Sequence, residues 1–148
     1  MFKQLLNKKL LKNEKGLTLI ELLAVIVILA IIAAIAIPAI GNIIVNTRYN
    51  AVKADAINVI NASNLYFTDS PDETNVTVEK LLEDKYLDSE GKFVKTDNVD
   101  KIAGGNELNT GAIEYSTGRN VTFDTANITE INDDETKGSA ETAVTIGK

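Results

Sequence analysis

Glu21 is the residue whose chemistry demands an explanation, because it is the only charged side chain between Leu17 and Ile37. A carboxylate at the centre of a membrane-spanning helix costs about 2.5–3.5 kcal/mol, and such a group usually has a partner. No lysine, arginine or histidine lies from Leu17 to Thr47. Cleavage of the peptide bond after Gly16 would create a cation, the α-ammonium group of Leu17.

The spacing of Leu17 and Glu21 suits an ion pair. The two residues are four apart, so on a helix they share one face and are about 6 Å apart along the axis. The pair could form within one chain, or between Glu21 of one subunit and the new N-terminus of its neighbour. The second arrangement would make Glu21 a docking residue for helix-on-helix assembly.

The element that must position Glu21 is the 21-residue apolar segment Leu17–Ile37. As a helix it would be roughly 30 Å long, one hydrocarbon thickness. Because it is apolar on every face, we expect it to be buried in lipid or against other helices. It is longer than the apolar region of a secretory signal peptide, about 7–15 residues, and a plain signal anchor does not account for Gly16 or Glu21.

The N-terminal segment resembles a known signal. A lysine-rich leader that ends in Gly16, the sequence Leu17-Thr18-Leu19-Ile20-Glu21 and an apolar run to Pro38 are similar to the class III signal of type IV pilins and pseudopilins. The resemblance implies that a prepilin peptidase cuts after Gly16 and N-methylates Leu17. It also implies that an inner-membrane assembly platform and its ATPase pack many copies into a helical filament. Leu17, Glu21 and Pro38 are the residues it assigns to assembly, although many members have Phe at the position of Leu17.

The charge is divided along the chain. Residues 1–16 carry five lysines and one glutamate, whereas residues 41–148 carry ten basic and 19 acidic residues. By the positive-inside rule the N-terminus lies in the cytoplasm and the body outside. We therefore expect a single-pass protein of the cytoplasmic membrane before assembly and a cell-surface filament after it. The acidic body argues against direct nucleic-acid binding.

The chain contains no cysteine and no histidine. Disulfides and thiol catalysis are thereby excluded, and the commonest general base is missing, so we expect neither an enzyme nor a cofactor. Many Gram-negative pilins close their C-terminal region with a disulfide, so the resemblance favours a Gram-positive or pseudopilin-type member. One acidic group could supply oxygen ligands to Ca²⁺, as the major pseudopilins of type II secretion do, but it lacks EF-hand spacing and a solvated turn is favoured: Asp124, Glu130, Asp133, Asp134 and Glu135.

We predict a cleaved leader at residues 1–16, a hydrophobic helix at 17–40 and an extracellular head at 41–148. Pro38 and Gly41 interrupt the helical pattern, and the proline predicts a kink or a loosened turn. Apolar residues nonetheless recur with a helical period from Asn42 to Phe67, which predicts one helix of roughly 75 Å through both segments. A second helix is predicted after Thr77 as its N-cap.

Short β-rich segments follow and predict strands at residues 93–94, 112–115, 120–123 and 128–131, with a turn at 116–119. Residues 143–146 could add an edge strand, and we expect the last dozen residues to be loose. The predicted class is α+β, similar to type IV pilins, with a small antiparallel sheet packed on the C-terminal half of the long helix.

The preferred function is a structural subunit of a type IV pilus or pilus-like filament. One alternative is a pseudopilin of a type II secretion or competence DNA-uptake system, which shares the same N-terminal signal. A lesser alternative is an extracellular binding module or enzyme that uses the helix as a signal anchor only.

Overall fold

A computed structural model describes the backbone from Phe2 and the side chains from Thr18 to Lys148. The chain separates into two compact units, the first ending at Gly41 and the second covering Asn42–Lys148. The elements are α1 (Phe2–Asp69), β1 (Asn75–Thr77), α2 (Val78–Glu83), β2 (Asn98–Asp100), β3 (Glu107–Asn109), β4 (Ile113–Ser116), β5 (Arg119–Asp124), α3 (Ile128–Asp133) and β6 (Ala143–Gly147).

Helix α1 continues through Pro38 and ends at Asp69. The prediction that the helical pattern resumes after Gly41 is confirmed. Its end is set by Pro71, because a proline disfavours helical geometry in the residue before it. The amide of Ser70 closes the last turn on the carbonyl of Tyr66 at 2.8 Å.

The described residues form two three-stranded sheets. In the first, β1 pairs with β2 and β2 with β3, both antiparallel. In the second, β4 and β5 form an antiparallel hairpin, which confirms the predicted turn, and Gly118 occupies it with a φ of 69°. Strand β6 then pairs with β5 in parallel, with Val121 opposite Val144.

The strand predicted at residues 128–131 is wrong, because those residues form α3. The side chain of Asn127 accepts a hydrogen bond from the amide of Glu130, and the Glu130 side chain accepts one from the amide of Asn127. This capping box satisfies two amides of the first turn and favours the helix over a strand. Two parallel strands need a crossover connection, and α3 lies within the one that joins β5 to β6.

Three further differences concern short segments. Phe93 and Val94 form no strand, and Phe93 is instead buried in the core after a turn. Strands β1, β2 and β3 were not predicted, because each has three residues and only its central one is buried. The last residues are not all loose, since β6 is paired and its Val144 and Ile146 are buried.

The core of the second unit lies between one face of α1 and the sheets. Tyr49, Val52, Ala56 and Ile60 are buried from the helix side, at the predicted helical spacing. Thr77 caps α2 as predicted, by accepting a hydrogen bond from the amide of Lys80. The fold is therefore α+β and pilin-like, with a long N-terminal helix and a small, largely antiparallel β-structure on its C-terminal part.

Candidate functional site

The first feature of functional interest is the apolar surface of α1. Within residues 18–148, this helix is long and apolar enough to cross a membrane by length and composition. Between Leu19 and Ile40 its large apolar side chains are exposed on every side, from 70% for Leu19 to 50% for Val27. A helix that is apolar all round is stable only when it is buried in lipid or against other helices, so we expect this surface to be buried in one of these two ways.

Glu21 lies on that surface and is exposed. Among residues 18–148, the recorded ion pairs join Lys53 to Asp134, Lys80 to Asp84 and Lys95 to Glu79, so none of these cations neutralises Glu21. The predicted partner, the α-ammonium group of Leu17, lies outside the residues whose side chains are described, as does Gly16. The pairing of Glu21 with this ammonium group and the cleavage between Gly16 and Leu17 stay predictions.

Pro38 lies inside α1, and the helix continues on both sides of it. A proline removes one N–H from the helical hydrogen-bond ladder and crowds the preceding turn. The predicted assembly role of Pro38 is therefore compatible with an uninterrupted helix, and it stays a prediction.

In the second unit, a polar group that we name the Asp134 cluster ties α1 to the segment after α3. Its members are Tyr49, Lys53, Asp134 and Thr136. The hydroxyl of Tyr49 donates to the carboxylate of Asp134 at 2.6 Å, and the ammonium of Lys53 lies 3.0 Å from the same oxygen. Lys53 also donates to the Asp134 carbonyl at 2.6 Å, so one residue holds both side chains of the helix.

The electrostatics of the cluster favour an ionised Asp134. Partial burial opposes ionisation, but hydrogen bonds from Thr136, Tyr49 and Lys53 outweigh it and hold the pKa of Asp134 below its ordinary value. Burial and the adjacent carboxylate raise the pKa of Tyr49, so its hydroxyl stays protonated as a donor. The side chains of Lys53 and Asp134 are each only 13% exposed, which shields the pair from solvent.

Next to the cluster, the backbone at residue 138 approaches Tyr49 so closely that only glycine fits there. A Cβ atom at Gly138 would lie 2.5 Å from the Cβ of Tyr49 and 3.1 Å from the ring of Tyr115. The Tyr115 hydroxyl donates to the carbonyl of Gly138 at 3.0 Å, and the amide of Ser139 donates to the Asn46 side chain at 2.8 Å. Residues 134–139 are thus held against the start of α1 in this unit.

A second feature is a groove of about 440 Å³ between α1 and the segment after α2. We name it the acidic groove. Its lining contains three carboxylates and no cation, together with polar and apolar side chains. The lining residues are Asp55, Asn58, Val59, Asn61, Ala62, Leu65, Tyr86, Leu87, Asp88, Ser89, Glu90 and Gly91.

The acidic residues that were weighed as Ca²⁺ ligands from the sequence are not brought together as a ligand set. Among the described residues, no group of three or more acidic side chains is placed to hold a metal ion. Asp134 is instead engaged by Tyr49, Lys53 and Thr136. Sequence reasoning missed this role, although Tyr49 and Lys53 are four residues apart and share a helix face.

Comparison with known protein families gives a match to the N-terminal segment. The family model described as the prokaryotic N-terminal methylation motif matches residues 11–37. No curated protein and no solved structure matches the chain significantly. The motif points to a structural subunit rather than an enzyme. With the long apolar helix and the pilin-like fold, this motif supports the resemblance of the chain to the type IV pilin and pseudopilin family.

Proposed function

We propose that the protein is a structural subunit of a type IV pilus or a pilus-like filament. It is made as a precursor, cut between Gly16 and Leu17, methylated on Leu17 and polymerised through the Leu17–Ile37 segments of many copies. The observation that carries this proposal is the outward-facing apolar surface of α1 that contains the carboxylate of Glu21. A tether needs only the apolar surface, whereas a subunit that must be aligned with its neighbours also needs the charge.

Assembly exchanges one apolar environment for another. The membrane holds the apolar helix before assembly, and helices of neighbouring copies surround it in the filament. Because lipid tails and leucine side chains are about equally apolar, removal of water cannot drive this transfer. Side-chain packing, the ion pair of Glu21 with a neighbouring Leu17 ammonium group, and work by an assembly ATPase supply the driving force.

The ion pair of Glu21 with the neighbouring Leu17 ammonium group acts mainly by fixing the axial position of one helix against the next. In a low-dielectric surrounding an unpaired carboxylate is costly, so a subunit that is out of register leaves Glu21 without its cation and is disfavoured. Prepilin peptidase creates this cation, and the assembly platform then receives a helix with one favoured position. The expected location is the cytoplasmic membrane before assembly and the cell surface afterwards.

The experiment compares processing and polymerisation in variants of the full chain. A bulky residue at Gly16 should block cleavage, seen as an unshifted band on a gel. Glu21→Gln should be cleaved normally but should fail to enter filaments, because the cation of the neighbour loses its partner.

Two controls separate the charge from the composition. Glu73→Gln makes the same chemical change in an exposed loop and should assemble normally. The double variant Glu21→Leu with Leu22→Glu keeps the composition but moves the carboxylate by about 100° around the helix, and it should fail to assemble. Normal filament yield from Glu21→Gln would refute the docking role, and absence of filaments from the wild-type chain would refute the function.

A further inference from the structure

Strand β6 forms an open edge of the second sheet and carries a further inference. The strand order β4-β5-β6 places β5 in the middle and leaves one side of β6 without a neighbouring strand. A strand edge with free backbone N–H and C=O groups is a template for pairing with another chain. The groups along this edge and the charges at its two ends indicate which chain pairs with it.

Alternate residues of β6 direct their backbone groups away from β5. The amide of Lys148 donates to the carbonyl of Asp124 in β5 at 3.0 Å, so the even-numbered positions of β6 face that strand. Because backbone groups alternate in direction along a strand, Ala143, Thr145 and Gly147 face the open side. All three residues are exposed, and within residues 18–148 the structure records no hydrogen bond of their backbone groups to another segment.

The other strand edges of the second unit are short or occupied. Strand β1 has only three residues, and β3 is bound at Leu108 to Ala126. In β4, the carbonyl of Glu114 accepts a hydrogen bond from the Lys92 ammonium group at 2.9 Å, and Glu114 places a charge in the strand itself. Short length and charged side chains are usual protections of an edge. Strand β6 has five residues, none of them charged and none a proline.

The charges that flank β6 favour a second copy of the same strand in the antiparallel direction. Glu141 precedes the strand and Lys148 follows it, both exposed and without a recorded ion pair in residues 18–148. Antiparallel pairing centred on Thr145 places Lys148 beside Glu141 of the partner subunit at each end of the pair. Parallel pairing in register would instead set lysine against lysine and glutamate against glutamate. Opposite charges across two strands stabilise their pairing, whereas like charges weaken it.

The same register gives favourable cross-strand neighbours on both faces of the strand. On the exposed face, Thr145 lies opposite Thr145 of the partner subunit, and threonine pairs of this kind stabilise a sheet. On the other face, Val144 lies opposite Ile146 of the partner subunit, and both are β-branched. The core already holds these two side chains in place, since they are 8% and 4% exposed. The product is one continuous six-stranded sheet, with three strands from each copy.

From these observations we infer that β6 pairs with β6 of a second copy of this chain, antiparallel and centred on Thr145. The contact is isologous, because both copies use the same strand. Copies within one filament are related by a rotation and a translation along its axis, whereas a two-fold pair has no translation. The contact therefore joins copies from two filaments and bundles them, a consequence that rests on the proposed function.

A single cysteine tests the pairing, because the chain contains none. In the Thr145→Cys variant the two new side chains are directly opposite each other. The Cα atoms of such an antiparallel pair are about 5.5 Å apart, within the range of a disulfide. Full-length protein in detergent, mildly oxidised and run on a non-reducing gel, should give a covalent dimer. This measurement needs no filaments, so it is independent of the proposed function.

Two controls introduce a cysteine at other exposed positions. Thr117→Cys lies in the turn between β4 and β5 and should give no dimer above background. Ala143→Cys lies on the same edge of β6, but residue 147 of the partner subunit is opposite it, so the two cysteines are roughly 14 Å apart and should not join. No more dimer from Thr145→Cys than from Thr117→Cys would overturn the pairing. As much dimer from Ala143→Cys as from Thr145→Cys would overturn the register.

Charge exchange in the Thr145→Cys background tests the partner's direction. Lys148→Glu and Glu141→Lys should each lower the dimer yield about fivefold, because like charges then meet at both ends of the pair. The combination Lys148→Glu/Glu141→Lys should restore the yield. Asp72→Lys makes a similar change in a loop away from β6 and should leave the yield unchanged. Failure of the combination to restore the yield, with both single exchanges impaired, would contradict the antiparallel arrangement.

Electron microscopy of surface filaments tests the consequence for bundling. Thr145→Lys sets two ammonium groups opposite each other and should give single filaments where the wild type gives bundles, whereas Thr117→Lys should bundle normally. An unchanged near-ultraviolet circular dichroism of tyrosine is the folding control for these variants. Bundles that persist in Thr145→Lys would overturn the inference while leaving the proposed function intact. Absence of filaments from the wild-type chain would overturn the proposed function and leave the dimer test standing.

Discussion

Asp134→Asn is a nearly isosteric substitution, and we expect it to lower the stability of the second unit. Asparagine keeps the shape of the side chain but loses the charge that Lys53 faces at 3.0 Å and one acceptor for the Tyr49 hydroxyl at 2.6 Å. A hydrogen bond to a charged group contributes about 1.5–3 kcal/mol. Lys53 keeps its bond to the Asp134 carbonyl, so the ammonium group is not left wholly unpaired.

We therefore expect the free energy of unfolding to fall by about 2–4 kcal/mol near neutral pH. The assay is urea unfolding of the full chain in detergent, followed by the near-ultraviolet circular dichroism of tyrosine. All four tyrosines lie between residues 49 and 115 and the chain has no tryptophan, so this signal reports the second unit.

The effect should depend on pH with a definite sign. The pKa of Asp134 is lowered in the folded state, so its stabilising contribution is fully present above the ordinary aspartate pKa, about 3.9. That contribution is lost as the pH falls through the lowered folded value. The stability gap between the wild type and Asp134→Asn should be constant above about pH 5 and should close in acid.

Asp133→Asn is the matched control, because Asp133 is the exposed neighbour of Asp134. It makes the same chemical change and should alter the free energy of unfolding by no more than about 0.5 kcal/mol. A gap for Asp134→Asn as small as that of the control, or one that persists undiminished in acid, would refute the reasoning about the cluster.

Three further substitutions test other parts of the second unit by the same unfolding assay. Gly138→Ala should cost about 1–3 kcal/mol, because its Cβ would lie 2.5 Å from that of Tyr49; Gly104→Ala, with nothing within 4 Å, is the control, and equal effects would contradict the close approach. Asn127→Ala should cost about 1 kcal/mol by removing the cap of α3, and an unchanged midpoint would count against the capping box. Ile146→Ala should cost about 2–5 kcal/mol because Ile146 is 4% exposed; a neutral result would mean that β6 does not hold the C-terminus.

The long helix was predictable from sequence because its signals are strong and local. An uninterrupted apolar run and then a helical period from Asn42 to Phe67 leave few alternatives. The β4–β5 hairpin was predictable for a similar reason, since Gly118 marks a turn between two β-rich segments. Thr77 was recognisable as a cap by residue type and position.

Residues 128–131 are β-rich by composition, and the strand predicted there did not take into account the local capping box of Asn127 and Glu130, which favours a helix. Other features depend on partners that are distant in sequence. The role of Asp134 depends on Tyr49, 85 residues earlier, so the acidic run looked like a solvated turn or an ion site. The acidic groove likewise forms only when the segment after α2 folds over Asp55.

The most direct test of the account is the mass of the subunit in filaments sheared from the cell surface. We predict a chain that begins at Leu17, lacks residues 1–16 and carries one methyl group on its N-terminal nitrogen. That species has the cation that the carboxylate of Glu21 requires. Filaments built from chains that still carry residues 1–16, or a processed chain found only in the membrane, would contradict the account.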